Sequence, residues 1–134
     1  MDIAIVGATG NVGRKTLEVL QQKNLNIDNL YLVASPNSAG KQLEFNGKKY
    51  SIENLETYNF SKAKITFFAA GGKISEQYAE KAAKHTTVID NSSYFRMDPD
   101  VPLIVPQVNA KDIQNMKKNI IANPNCSTAQ LVLV

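Results

Sequence analysis

Cysteine is nearly missing from this chain of 134 residues: Cys126 stands alone, and so does one histidine, His85. A single cysteine excludes an intrachain disulfide framework and suits a reducing compartment. With no Cys/His cluster at ligand spacing, the sequence offers no metal site. No apolar run approaches the length needed to span a bilayer. The N-terminus lacks the basic and then apolar regions of a secretory leader, so the expected location is the cytoplasm. Charge of one sign is also scarce. The net charge of +3 is dispersed along the chain, which gives no footprint for nucleic acid but suits an anionic ligand. A hydrophobic share of 43% with 20% charged residues is that of a globular protein with room for one real core.

The strongest local pattern lies at the start. Met1–Val6 reads as a short strand with an apolar run at Ile3, Ala4, Ile5 and Val6. Gly7-Ala8-Thr9-Gly10-Asn11-Val12-Gly13 follows at once, and then comes a helical pattern with Leu17 and Leu20 on one face. Strand, glycine-rich turn and helix form the context that a dinucleotide fingerprint requires. The spacing is G-x-x-G-x-x-G, a variant of G-x-G-x-x-G, and the physics carries over. Gly7 allows the sharp turn, Gly10 lets the backbone approach a pyrophosphate, and Gly13 lets the helix lie close to the sheet. The helix N-terminus then faces the phosphates.

The second strand, Leu30–Ala34, is not followed by the acidic residue that binds a ribose 2′-hydroxyl in NAD-preferring folds. The chain continues Ser35-Pro36-Asn37-Ser38-Ala39-Gly40-Lys41. Hydroxyls, an amide and a lysine suit a 2′-phosphate, so the expected cofactor is NADP(H), although Ser, Asn and Gly are also ordinary loop residues.

Further along, Gln42–Ile52 reads as a hairpin around Asn46-Gly47. A polar stretch, 53–62, precedes a buried strand at Ile65–Ala69. Ala70-Gly71-Gly72 opens a helix over Ile74–Lys84. Thr87–Asp90 is the next strand and runs into a polar loop, Asn91–Asp100. A short apolar segment, Leu103–Val105, precedes a predicted helix over Ala110–Lys118, a strand at Ile120–Ala122 and a helix starting at Ser127. Strands alternating with helices predict an α/β fold with a doubly wound, mostly parallel Rossmann-type sheet. Ligands in such sheets bind beyond the carboxyl ends of the strands. Those ends here are Gly7–Gly13, Ser35–Lys41, Ala70–Gly72, Asn91–Arg96 and Asn125–Cys126. All the polar and glycine-rich segments therefore fall on one edge.

Cys126 sits where the last strand turns into a helix. Free N–H groups and the partial positive charge of a helix start favour a thiolate there, which is how a nucleophile is prepared for a carbonyl carbon. Without that context a lone cysteine reads as a buried structural residue. Arg96 ends a strand-end loop, where a guanidinium fork suits phosphate; elsewhere it would read as a solvated surface arginine. His85 falls at the far end of its helix, away from the strand ends, and reads as a surface residue that complements the helix dipole. The chain stops on Leu-Val-Leu-Val without a C-cap signal, so it is expected to be the N-terminal piece of a longer enzyme.

Five motifs in order carry a resemblance. They are Val6–Gly13, the Ser-Ala-Gly-Lys segment within Ser35–Lys41, Phe68–Gly72, Asp90–Met97 and Asn123–Thr128. The match that rests on them covers essentially the whole chain, which resembles the N-terminal, NADP-binding part of aspartate-semialdehyde dehydrogenase. The resemblance implies NADPH-dependent reductive dephosphorylation of L-aspartyl-4-phosphate to L-aspartate 4-semialdehyde, in the lysine, threonine and methionine pathways. Cys126 would be the nucleophile that forms an acyl-thioester, and Arg96 would bind the phosphate. Gly7, Thr9, Gly10, Asn11, Val12, Gly13, Ser35, Asn37 and Ser38 would hold the adenine half of NADP. Ala70 and Gly71 would lie near its nicotinamide half, and Asn91 and Asn125 would line the substrate pocket. The family's catalytic base, its substrate carboxylate and amine contacts and its main dimer contacts belong to a second α+β domain beyond Val134. The resemblance therefore implies a small-molecule substrate, a homo-oligomer for the whole enzyme, and little turnover by residues 1–134 alone. Three other readings stay open. N-acetyl-γ-glutamyl-phosphate reductase has the same fold and acyl-phosphate chemistry but a different cysteine motif. A non-catalytic nucleotide-binding module would leave Cys126 structural. A glyceraldehyde-phosphate-type dehydrogenase is disfavoured by the missing acid after Ala34.

Overall fold

In the computed structural model, which describes residues 1–134, the first apolar run forms β1 (Asp2–Val6), with Ile3 to Val6 at most 1% exposed. Such a strand is covered on both faces, as the central strand of a parallel sheet must be. The elements that follow are α1 (Asn11–Gln22), β2 (Asn29–Ala34), the hairpin β3 (Gln42–Phe45) and β4 (Lys48–Asn54), β5 (Ile65–Phe68), α2 (Gly72–Ala83) and β6 (Thr87–Asp90). A four-residue turn of helix, α3 (Pro106–Asn109), then leads to β7 (Ile120–Ala122) and α4 (Cys126–Leu131). No helix is long and apolar enough to cross a membrane.

The seven strands form one sheet in the order β3-β4-β2-β1-β5-β6-β7, and every pairing is parallel except β3 with β4. The expectation of a doubly wound Rossmann-type sheet is met. From β1 the chain winds one way to β2 and, after β5, the other way to β6. The switch point lies between β1 and β5, where Val6 pairs with Phe68. Because side chains alternate across a strand, the two faces build two cores. Ile3, Ile5, Leu30 and Leu32 meet Leu17 and Leu20 of α1 on one face. On the other, Ala4, Val6, Phe68, Val88 and Ile120 meet Ala79 and Ala82 of α2, whose small side chains let that helix lie close.

The hairpin turns at Asn46 (φ 51°) and Gly47 (φ 75°), the left-handed pair that its sequence predicts. The predicted helix over Ala110–Lys118 does not form. Residues Ala110–Asn115 make a 3-10 turn instead, and β7 begins at Ile120. Asn109 explains the break. Its backbone leaves the helical region (φ −140°, ψ 36°), and its side chain ties it to the preceding loop: Oδ1 accepts from the Val105 N–H, and Nδ2 donates to the Leu103 carbonyl and to Asp112 Oδ2.

A second polar oddity lies in the core. Tyr58 is 8% exposed and packs edge-on against Phe60 at 5.2 Å, yet its hydroxyl finds no partner in the protein. Burial, helped by the Glu53 carboxylate, raises the phenol well above its ordinary pKa. A buried, unsatisfied hydroxyl costs about 1–3 kcal/mol. Tyr58→Phe is therefore expected to stabilise the chain by about 1 kcal/mol in urea unfolding, with an unchanged m-value.

Candidate active site

The parallel strands deliver their carboxyl ends to one edge, and the glycine turn opens at the switch point. The Gly7 and Ala8 N–H groups both donate to the Val33 carbonyl (2.8 and 3.2 Å), which pins the turn to β2. Gly7 has φ 86°, and a Cβ there would lie 2.7 Å from the Ala69 carbonyl oxygen, so the turn passes tightly beneath the end of β5. Gly10 caps α1 without a side-chain hydrogen bond, and no acidic residue sits in the first turn. The helix therefore presents an uncapped positive end to the edge.

A cavity of about 560 Å³ lies beside this turn. Gly7, Thr9, Gly10, Ser35 and Ala70 line it, so the predicted cofactor residues from three strand ends do meet there. Ser38 ends the 3-10 turn Pro36–Ser38 that follows Ser35, and Asn37 is exposed in that turn. Asn11, Val12 and Gly13 form the first turn of α1, with Gly13 buried. Gly71, at φ 88°, makes the bend into α2. Five further lining residues, Leu55, Glu56, Ile74, Gln77 and Tyr78, escape the sequence reading. Leu55 and Glu56 arrive because β4 lies parallel to β2 and so ends on the same edge. The three α2 residues arrive because that helix starts at the cavity.

The second half of the site is held at the ends of β6 and β7. Arg96 is half-buried. Its Nε donates to the Asn123 carbonyl (3.0 Å) and its terminal nitrogen to the Asn91 carbonyl (3.1 Å). Asn123 Nδ2 donates to Asn91 Oδ1 at 2.6 Å. These contacts use two donors of a guanidinium that has five, so the rest of the fork is available to an anion. Cys126 is exposed in the first turn of α4. Asn125 precedes it as the cap, its Oδ1 accepting from the Ser127 N–H at 2.8 Å. The side chain that joins Asn91 is thus that of Asn123, whereas Asn125 shapes the turn that presents the thiol. Asn91, Asn123 and Val12 also line a separate, mostly apolar cavity of about 350 Å³ between α1 and the ends of β5 and β6. His85 is exposed just beyond the C-terminal end of α2, opposite the strand ends, as its place in the sequence predicts.

Known proteins match this arrangement. The family model described as semialdehyde dehydrogenase, NAD binding domain, matches residues 2–116. The aspartate-semialdehyde dehydrogenase of Aquifex aeolicus is 54% identical over 134 residues, covering 98% of this chain and 39% of that protein. The enzyme of the same name from Campylobacter jejuni is 48% identical over 136 residues, covering 98% of this chain and 40% of that one. Among solved structures, aspartate semialdehyde dehydrogenase II of Vibrio cholerae, complexed with ASA, superposes with a TM-score of 0.95 at 48% identity, covering 98% of this chain and 44% of the other. Aspartate semialdehyde dehydrogenase of Candida albicans with NADP gives a TM-score of 0.74 at 26% identity, covering 98% and 44%. The chain spans about two fifths of the length of the curated relatives it matches. A glycine cradle at the switch point of a sheet that these proteins share, matched along residues 2–116, places the chain in the semialdehyde dehydrogenase family, as its NAD-binding domain.

Proposed function

We propose that residues 1–134 form the cofactor-binding and nucleophile-bearing domain of an aspartate-semialdehyde dehydrogenase, a cytoplasmic homo-oligomer when whole, which reduces L-aspartyl-4-phosphate to L-aspartate 4-semialdehyde. The observation that carries this reading is the convergence of the glycine cradle, the Arg96 loop and the Cys126 turn on one sheet edge. The likeness to enzymes of that name supports it.

In this reading the Cys126 thiolate attacks the acyl carbon of the substrate. The carbon–oxygen bond to phosphate breaks, and phosphate departs against the free donors of Arg96, leaving an acyl-thioester on the sulfur. The cofactor, when bound, supplies the hydride that reduces the acyl group. The cradle fits such a group. The uncapped start of α1 offers N–H donors to a pyrophosphate, and Gly10 leaves the backbone open to approach. Ser35, Asn37, Ser38 and Lys41 favour a 2′-phosphate, hence NADP(H) over NAD(H). The one carboxylate lining the cavity, Glu56, comes from the end of β4, not from the end of β2 where NAD-selective folds carry theirs. The base and the substrate's carboxylate and amine contacts are assigned to the part of the relatives' length that these residues do not match, so the chain alone should turn over little.

The test is a parallel fluorescence titration of the chain with NADPH and NADH. Saturable binding at least tenfold tighter for NADPH is the expected result. Equal affinities would remove the assignment of Ser35–Lys41 to a 2′-phosphate while leaving the cradle in place. Full dehydrogenase activity of the isolated chain would overturn the placing of the base outside it.

A further inference from the structure

Asp90 is a carboxylate with no exposed surface, and carboxylates are almost never fully buried unless paired. It has no cationic partner. Its Oδ1 accepts from Ser75 Oγ (2.7 Å) and from the Ser92 N–H (3.0 Å), and its Oδ2 accepts from Ser92 Oγ (2.7 Å). Ser75 is itself fully buried in the first turn of α2, where its N–H donates to the Gly71 carbonyl at 3.1 Å. Ser92 Oγ accepts in turn from the Tyr94 N–H at 3.2 Å, which folds the loop back over Asp90. The Asp90 carbonyl accepts from the Asn123 N–H at 2.8 Å, and the Asn123 carbonyl holds Arg96.

We propose that Asp90 is a positioning residue that braces the Asn91–Arg96 loop against the start of α2 and thereby fixes the direction of the Arg96 guanidinium. An apolar side chain of similar size would fill the same space without the desolvation cost of a carboxylate. Every bond that Asp90 makes through its side chain runs to a segment bearing the site. One arm reaches the turn that follows Ala70 and Gly71, and the other reaches the loop that ends in Arg96. The brace thus holds the cofactor side of the edge in register with the anion side. Its significance for phosphate rests on the proposed role of Arg96.

The experiment uses the whole 134-residue chain, labelled with nitrogen-15, as wild type, Asp90→Asn, Ser92→Ala and Arg96→Ala. Three quantities are read: the Arg96 Nε–H cross-peak, the slowing of Cys126 alkylation by inorganic phosphate, and NADPH affinity. Asp90→Asn keeps an acceptor for Ser75 but leaves the Ser92 hydroxyl proton without one. It should broaden or abolish the Nε–H cross-peak and raise the phosphate concentration needed for protection by about tenfold, with NADPH affinity changed less than about threefold. Ser92→Ala, which removes one arm only, should give the same pattern at smaller amplitude and serves if Asp90→Asn does not fold. A wild-type cross-peak and phosphate response in both variants would overturn the brace, as would parallel losses of NADPH binding and phosphate protection. If phosphate never protects the wild type but Asp90→Asn still loses the Nε–H cross-peak, the brace stands and the anion role of Arg96 fails.

Discussion

Gly13→Ala is expected to lower the melting temperature of the chain by about 10 °C or more and to weaken NADPH binding at least tenfold. A Cβ built at Gly13 lies 2.2 Å from the Gly7 carbonyl oxygen and 2.8 Å from both Ala8 Cα and the Gly7 carbonyl carbon. All three are backbone atoms, so no rotamer change gives relief. Either α1 lifts from β1 or the turn deforms. Overpacking of a tight interior costs about 1–3 kcal/mol and sometimes more, and a clash against backbone belongs at the upper end. The turn that would deform is the one lining the cofactor cavity, so affinity falls with stability. Gly10→Ala makes the contrast. Its Cβ meets only the Gly7 carbonyl oxygen, at 3.4 Å, and the residue lines the cavity. That variant should melt within a few degrees of wild type and still lose NADPH affinity, because its methyl group occupies the approach to the phosphates. Thermal unfolding paired with NADPH titration separates the packing glycine from the approach glycine. Equal melting temperatures for the two variants would contradict this account.

Cys126→Ser is expected to abolish covalent chemistry while leaving the fold and cofactor affinity in place. Cys126 is exposed and makes no side-chain hydrogen bond, so the substitution disturbs no packing. The hydroxyl of serine is a far weaker nucleophile without an adjacent base, and this edge offers none: His85 lies at the opposite end of the sheet. In the chain itself, the measurement is the mass of a one-to-one iodoacetamide adduct and of a thioester formed with aspartyl phosphate, both absent from the variant. In the enzyme completed by the remaining portion, turnover should fall on the order of 10³-fold or more. A serine variant that kept a tenth of the activity would remove Cys126 from the reaction, and a wild-type chain that formed neither adduct would restore the reading of a plain nucleotide-binding module with a structural cysteine.

Much of this site was legible in the sequence because it is built from strand ends. A parallel sheet collects the residue after each strand on one edge, so recognising five strands is enough to gather Gly7, Ser35, Ala70, Asn91 and Cys126. Leu55, Glu56, Ile74, Gln77 and Tyr78 were not legible. Their approach to the cavity depends on β4 lying beside β2 and on the depth at which α2 seats, and both are set by contacts distant in sequence. Asn123 was visible only as part of the cysteine motif; its bond to Asn91 spans 32 residues. Asp90 gave a faint signal, an acid closing a strand whose other members are apolar or β-branched, ahead of two serines. The missing helix at Ala110–Lys118 shows the reverse error. Its composition permits a helix, but Asn109 bonds to Leu103, Val105 and Asp112 and ends one there.

By itself the sequence determined what depends on local chemistry: the period of the strands and of the helices α1 and α2, the glycines that the first turn requires, the hairpin at Asn46-Gly47, and a thiol at the turn from strand to helix. Only the tertiary structure decided what depends on strand order and close packing. It put the switch point between β1 and β5, joined the β6 and β7 ends through Arg96, and buried Asp90 among serines from two elements. The reason is that local propensity acts over a few residues, whereas strand pairing and the satisfaction of buried polar groups are settled between segments tens of residues apart.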